Sequence, residues 1–182
     1  MNNLRIIILF VAGIILLLTF TGCAQTFKKK MIANLQQVDL DRYTGKWYEI
    51  ARFPHRFERD LTGVTATYNL LPNGKIEVIN QGFQNSLDGP LKTAIGKAKY
   101  VSKDGKGHLK VSFFWIFYAD YFILELDQEN YQYALVGSST PDFLWILGRT
   151  PQMDQEILDM LLSKAKELDY DITKVELVEQ HK

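Results

Sequence analysis

A succession of short β-type segments, each closed by turn residues, fills Tyr43 to Arg149, and this rhythm limits the fold more than any other feature. Val64-Thr65-Ala66-Thr67-Tyr68-Asn69-Leu70 is β-branched and aromatic, and Leu71-Pro72-Asn73-Gly74-Lys75 is turn chemistry with Asn-Gly as a hairpin signal. Lys75 to Asn80 then alternates polar and apolar, and so does Ala94 to Val101. Ser102 to Gly107 is a hairpin loop, from which His108 to Phe113 returns. Tyr121–Leu126, Tyr131–Gly137 and Phe143–Gly148 follow. With the segment that starts at Trp47 there are eight strands on short links, which predicts an all-β, eight-stranded antiparallel up-and-down barrel.

After Thr150-Pro151 the period changes. Ile157, Leu158, Leu161, Leu162, Ala165 and Leu168 recur at helical spacing. The pattern predicts one C-terminal α-helix from Asp154 to Leu168, with its apolar stripe packed on the barrel, and a last short strand over Lys174 to Val178. Neither a repeat nor a second domain is visible.

The N-terminus reads differently. Arg5 precedes an apolar run from Ile6 to Leu18 that is shorter than the ~20 residues of a spanning helix. A basic start, an apolar core and small residues before a cut site predict a signal peptide over 1–22; the alternative is an uncleaved N-terminal anchor. Phe20-Thr21-Gly22-Cys23 resembles the bacterial lipobox, with Phe20 in place of the usual Leu. That resemblance implies that Cys23, the chain's single cysteine, receives a diacylglycerol and further acylation such as palmitate. It also implies the outer membrane, because Ala24 is not the Asp that retains such lipoproteins in the inner one, with the domain facing the periplasm. Residues 23–37 are then a lipidated N-terminus and polar linker with a flexible reach of roughly 20 Å, its Lys28-Lys29-Lys30 either solvated or lying against anionic head groups. Residues 38–182 form the barrel domain. Loss of Arg5 leaves 20 basic residues against 21 acidic ones, which gives no reason to expect nucleic acid. One cysteine permits no internal disulfide.

Gly45-Lys46-Trp47 opens the first strand, and Trp145-Ile146-Leu147-Gly148-Arg149 closes the eighth. An eight-stranded barrel needs a plug at one end. Gly45 allows a close backbone approach, Trp47 fills the floor, and Arg149 lies across the indole. These three are fold residues. Together with a barrel between them and a helix after, they resemble the lipocalin family. Trp47–Phe53, Val64–Tyr68, Lys110–Phe114 and Leu144–Pro151 are similar to its bacterial outer-membrane branch, which groups with apolipoprotein D and the plant temperature-induced lipocalins. The family's second motif, Thr-Asp-Tyr, is poorly kept near Gln132-Tyr133-Ala134. The resemblance implies a membrane-anchored protein that reversibly binds fatty acids or lysophospholipids in its cavity, for storage or transport of envelope lipids.

Alternation proposes the cavity wall. With Trp47 inward, Glu49, Ala51 and Phe53 also face in. Ala66 and Tyr68, then Ile76, Val78 and Asn80, follow on the next two strands. Ala94, Gly96 and Ala98 leave room on the fourth, and Leu109, Val111 and Phe113 continue. With Arg149 inward, so are Leu147, Trp145 and Phe143. A slip of one residue inverts any of these sets. Phe53 to Arg59 forms a loop over the mouth, where Arg56, Arg59 or Arg52 could meet a phosphate or carboxylate, or stay solvated. Phe113 to Tyr121, including Trp115, is unexpectedly apolar for a turn. It is a rim that guides lipid in, a membrane-touching surface, a homodimer patch, or core folded over the opening. Catalysis has little to work with. His55, His108 and His181 are scattered, no Gly-x-Ser-x-Gly elbow occurs, and no His or Cys cluster has metal spacing. Glu49 is the one acid expected inside. No cofactor or metal is expected, and the competing readings are an envelope interaction module or a lipid-directed enzyme.

Overall fold

The computed structural model describes residues 24–102 and 104–181. The signal segment and Cys23 lie outside the described residues. Residues 24–33 form α1 and Leu40–Tyr43 form α2. The strands are β1 (Gly45–Arg52), β2 (Leu61–Leu70), β3 (Ile76–Gln84), β4 (Leu91–Tyr100), β5 (His108–Phe114), β6 (Phe117–Leu126), β7 (Tyr133–Gly137) and β8 (Leu144–Gly148). Each pairs antiparallel with the next, and β1 pairs with both β2 and β8, so the eight close into a barrel. Helix α3 (Gln155–Glu167) follows, then β9 (Glu176–Leu177), which adds outside β1.

Up-and-down topology sorts the connections. The ends at 71–75, 101–107 and 127–132 are on one side with Gly45. The ends at 53–60, 85–90, 115–116 and 138–143 are on the other. The first side is sealed by α2, whose Asp39 cap accepts a hydrogen bond from Asp41 N. The second is open.

The barrel wall separates two cores. Inside are Tyr43, Trp47, Tyr68, Ile76, Val78 and Leu109 with their neighbours. Outside, Ile50, Phe122, Leu124, Leu135 and Ile146 pack beneath Leu158, Leu161, Ala165 and Leu168 of the α3 stripe. Full burial of each leucine contributes about 1.5–3 kcal/mol. Beyond α3, Tyr170 folds back so closely that a Cβ on Gly137 would strike its hydroxyl.

Two expectations fail here. The stretch 24–37 is not a solvated tether of roughly 20 Å reach. Phe27, Met31 and Leu35 recur every four residues, and this stripe docks α1 on the outer core, with Met31 fully buried and the Phe27 ring edge-on to Tyr170 at 5.3 Å. Lys28 Nζ donates to Asp120 at 2.7 Å and Lys30 Nζ to Asp169 at 2.6 Å, so two of the three lysines are tied to the protein. Alternation also breaks in β1. Glu49 pairs with Leu147 but Ala51 with Ile146, so a bulge at Ile50 inserts one extra residue. Trp47 and Glu49 face in, then Arg52 does. Ala51 and Phe53 face out and belong to the core under α3.

The candidate functional site

The barrel lumen is built from the floor up. Gly45 takes φ +92°, a left-handed conformation that glycine adopts without strain, and a Cβ there would press on Arg149 Nη1. Trp47 is fully buried, and the Arg149 guanidinium carbon lies 3.8 Å from its ring centroid. Trp47 Nε1 donates to Tyr43 O at 2.8 Å. Arg149 faces α2 and donates to the carbonyls of Arg42, Tyr43, Thr44, Lys46 and Tyr131, stitching plug to barrel.

Above the floor, three tyrosine hydroxyls form a chain. Tyr121 OH stands 2.7 Å from Tyr43 OH and 2.8 Å from Tyr68 OH. Burial pushes all three phenols up, so the chain stays neutral. The wall around it is apolar. Val78 and Ala98 are buried, and Ala66, Val111 and Phe113 pack on the same cluster. Asn80 is half-buried, and its Oδ1 has no hydrogen-bond partner among the described residues.

The upper wall is polar. Arg52 Nη1 donates to Glu49 Oε1 at 2.9 Å, and Nη2 to the carbonyls of Glu58 and Leu61. Glu58 Oε2 lies 2.9 Å from His55 Nε2, 3.8 Å from Arg52 Nη1 and 3.4 Å from the Trp145 indole nitrogen that donates to it. Burial, then the neighbouring Glu58 charge, push the Glu49 carboxyl well above the usual range, against the opposing pull of Arg52. Phe143 stacks on Trp145 at 5.9 Å, and His55 is tilted against Phe143 and edge-on to Trp145. A recess of about 380 Å³ opens beside this loop, with Arg52, His55, Arg59 and Glu176 among its walls.

Near the mouth the lumen is not filled. Register places Ala66, Asn80 and Ala94 side by side on one face, and Val111 beside Ala119. Ala94 and Ala119 are exposed although they face inward, and Gly96 and Val111 are only half-buried. Solvent therefore reaches the inner face of the wall near the mouth.

Of the sequence-derived wall, Glu49, Ala66, Tyr68, Val78, Asn80, Ala98, Val111, Phe113, Phe143 and Trp145 face the lumen or its mouth, while Ala51 and Phe53 do not. Arg56 is exposed on the loop, its guanidinium carbon 5.3 Å from the Phe57 ring centroid. Trp115 stands out in solvent, and the apolar stretch is a hairpin turning at Trp115-Ile116 rather than core over the opening. Tyr43, Tyr121 and Glu58 were missed. Pairing of Tyr121 with inward Leu109 marks the second, but nothing in the composition marks Glu58.

A family model described as a lipocalin-like domain matches residues 38–180. The chain is 42% identical over 149 residues to the outer membrane lipoprotein Blc of Vibrio cholerae, covering 82% of this chain and 86% of that protein. It is 41% identical over 159 residues to the protein of that name in Escherichia coli K12, covering 87% and 89%. Identity to mouse apolipoprotein D is 37% over 153 residues, covering 80% and 78%. Among solved structures, lobster apocrustacyanin A1 superposes with a TM-score of 0.65 at 22% identity, covering 85% and 86%, which bears on the fold alone.

Proposed function

The chain belongs to the lipocalin family, and from that premise we propose that it is a lipid-binding carrier, tethered to the outer membrane through acylated Cys23 and facing the periplasm. Its lumen takes the acyl chain of a fatty acid or lysophospholipid. The observation that carries this reading is the unfilled upper lumen, where Ala94 and Ala119 face inward yet are exposed. About ten buried methylenes at ~0.8 kcal/mol each supply about 8 kcal/mol, the scale of micromolar binding before ordering costs. The names of the relatives support the location. Glu49 is held by Arg52 rather than aimed at a substrate, which supports a carrier over an enzyme.

Arg52 is not a free fork for an anion, because Nη1 and Nη2 are held by Glu49 and two carbonyls and only the buried Nε lacks a partner among the described residues. Arg56 and Arg59 are the exposed cations of the mouth loop, and the charged end of the ligand belongs beside them. The test is titration of delipidated protein with lysophospholipid, followed by tryptophan fluorescence. A saturable change is expected, and charge reversal at both arginines should weaken an anionic ligand more than a neutral one of equal chain length. A folded protein with no saturable change refutes the carrier reading. Equal affinities after reversal refute the placement of the charged end.

A further inference from the structure

The open end carries an apolar surface that ligand binding leaves unexplained. Phe114, Trp115, Ile116 and Phe117 are 65%, 84%, 65% and 76% exposed, and Phe57 of the mouth loop is 60% exposed. The Phe57 and Phe114 rings are 6.3 Å apart, so loop and hairpin present one surface. Exposed apolar clusters of this kind mark contact sites. Cations flank it: Arg56 over Phe57, and Lys97 and Lys99 over the Tyr118 ring at 5.8 and 4.6 Å. Aromatic rings with adjacent cations match the boundary between acyl chains and anionic head groups.

The course of α1 says which surface this patch meets. Val38 N donates to Gly105 O, and Gln36 N to Ile123 O, towards the sealed end. Lys28 meets Asp120, three residues nearer the mouth along β6. Phe27 meets Tyr170, which touches Phe53 and Gly137 at the mouth ends of β1 and β7. The helix therefore runs upward when followed towards its N-terminal end. From Lys28, four residues at 1.5 Å each carry residue 24 about 6 Å further that way. Phe117 lies about 10 Å beyond Asp120 at strand rise. Residue 24 thus lies near the level of the aromatic rim, and Cys23 immediately precedes it in the sequence.

We propose that the rim formed by Phe57 and residues 114–117 inserts into the leaflet that holds the anchor, so that the lumen opens onto lipid. The proposal rests on the anchored-carrier reading, and α1 is the rigid strut that fixes the orientation. It commits to a lipid leaflet as occupant rather than to a second copy of the chain.

The test uses the full chain on vesicles of phosphatidylcholine and phosphatidylglycerol, part of the phosphatidylcholine brominated on its acyl chains. Flotation reads attachment, and the fluorescence difference between the wild type and Trp115→Ala reads the rim. Quenching of Trp47 or Trp145 by lipid in the lumen is common to both proteins and subtracts. Brominated lipid should quench the Trp115 component severalfold, and vesicles should shield it from aqueous iodide. Ile116→Ser should weaken both effects while lysophospholipid affinity stays within twofold. A chain that floats while Trp115 remains as open to iodide as in solution is tethered but not docked, which overturns the proposal. Concentration-dependent shielding without vesicles, with a dimer in sedimentation, overturns it in favour of a second copy. Failure to float overturns the anchor and the orientation together, while the lysophospholipid titration still scores the lumen on its own.

Discussion

Replacement of Arg149 by Met tests whether the floor of the barrel is structural. The change keeps most of the volume and removes the charge and the fork. Lost with them is a cation–π contact at 3.8 Å, worth about 0.5–2 kcal/mol. Lost too are five hydrogen bonds. Those to the carbonyls of Arg42 and Lys46 are exposed, and water replaces them. Those to Tyr43, Thr44 and Tyr131 are partly buried, and at about 1 kcal/mol each they add about 3 kcal/mol. The expected loss is about 4 kcal/mol. With a urea slope of about 2 kcal/mol/M, the midpoint falls by about 2 M. Arg149→Lys keeps the charge without the fork and should lose about half as much. Urea titration followed by tryptophan fluorescence measures both. A Met variant within about 1 kcal/mol of wild type, or Lys and Met losing equally, refutes the account in which the planar fork ties α2 to the barrel.

Met31→Ala should cost about 2–5 kcal/mol because the side chain is fully buried, whereas Ile32→Ala, half in solvent, should stay within about 0.5 kcal/mol; urea midpoints decide, and equal effects would return α1 to the status of a linker. Asp120 supplies a pH test. Burial pushes its carboxyl up, but Lys28, His108 and Lys110 outweigh that and hold it at about 2. A depressed folded value means stability present above the ordinary carboxylate range and lost as pH falls towards 2. Hydrogen exchange across 24–33, corrected for intrinsic rates, should accelerate over that window in the wild type but not in Asp120→Asn. Glu49 has the opposite sign, since its folded value is raised. Its protonated form is favoured in the fold, so its contribution is present below the ordinary range and lost as pH rises through the raised value. Wild-type urea midpoints should therefore fall with rising pH relative to Glu49→Gln, and parallel profiles would refute a buried carboxyl whose hold on its proton the fold strengthens.

The barrel was legible because its signals are local and repeated. Asn73-Gly74 turns β2 into β3, and alternation holds through Ile76, Val78 and Asn80 as it does through Phe143, Trp145 and Leu147. Helix α3 was legible for the same reason, its boundaries falling within a residue of the periodic stretch. Helix α1 was not, because three consecutive lysines hide a stripe of only Phe27, Met31 and Leu35, and what makes it a helix is an outer wall that the local sequence does not reveal. The bulge at Ile50 left no trace either. Ile50 and Ala51 are both apolar, so either could be the inward residue until pairing with Leu147 and Ile146 is known.

That one inserted residue decides the chemistry of the lumen. Without it, Ala51 and Phe53 would line an apolar upper wall, and Arg52 would point outward beneath α3, an uncompensated charge in a hydrophobic core, which is costly enough to select against that register. With it, Arg52 turns inward onto Glu49 and clamps the mouth loop through the carbonyls of Glu58 and Leu61. The inward arginine is thereby spent on the protein itself. Its Nη1 lies 2.9 Å from Glu49 Oε1 and 3.8 Å from Glu58 Oε2, which occupies the cation that would otherwise meet a carboxylate at that depth. Selection by the proposed site then divides along the barrel axis: acyl chain length is read by the apolar wall and the tyrosine chain below, and head-group charge is read only at the loop, by Arg56 and Arg59. On the proposed reading a ligand would enter tail-down, because the arginine nearest its path is already engaged by Glu49 and the mouth loop.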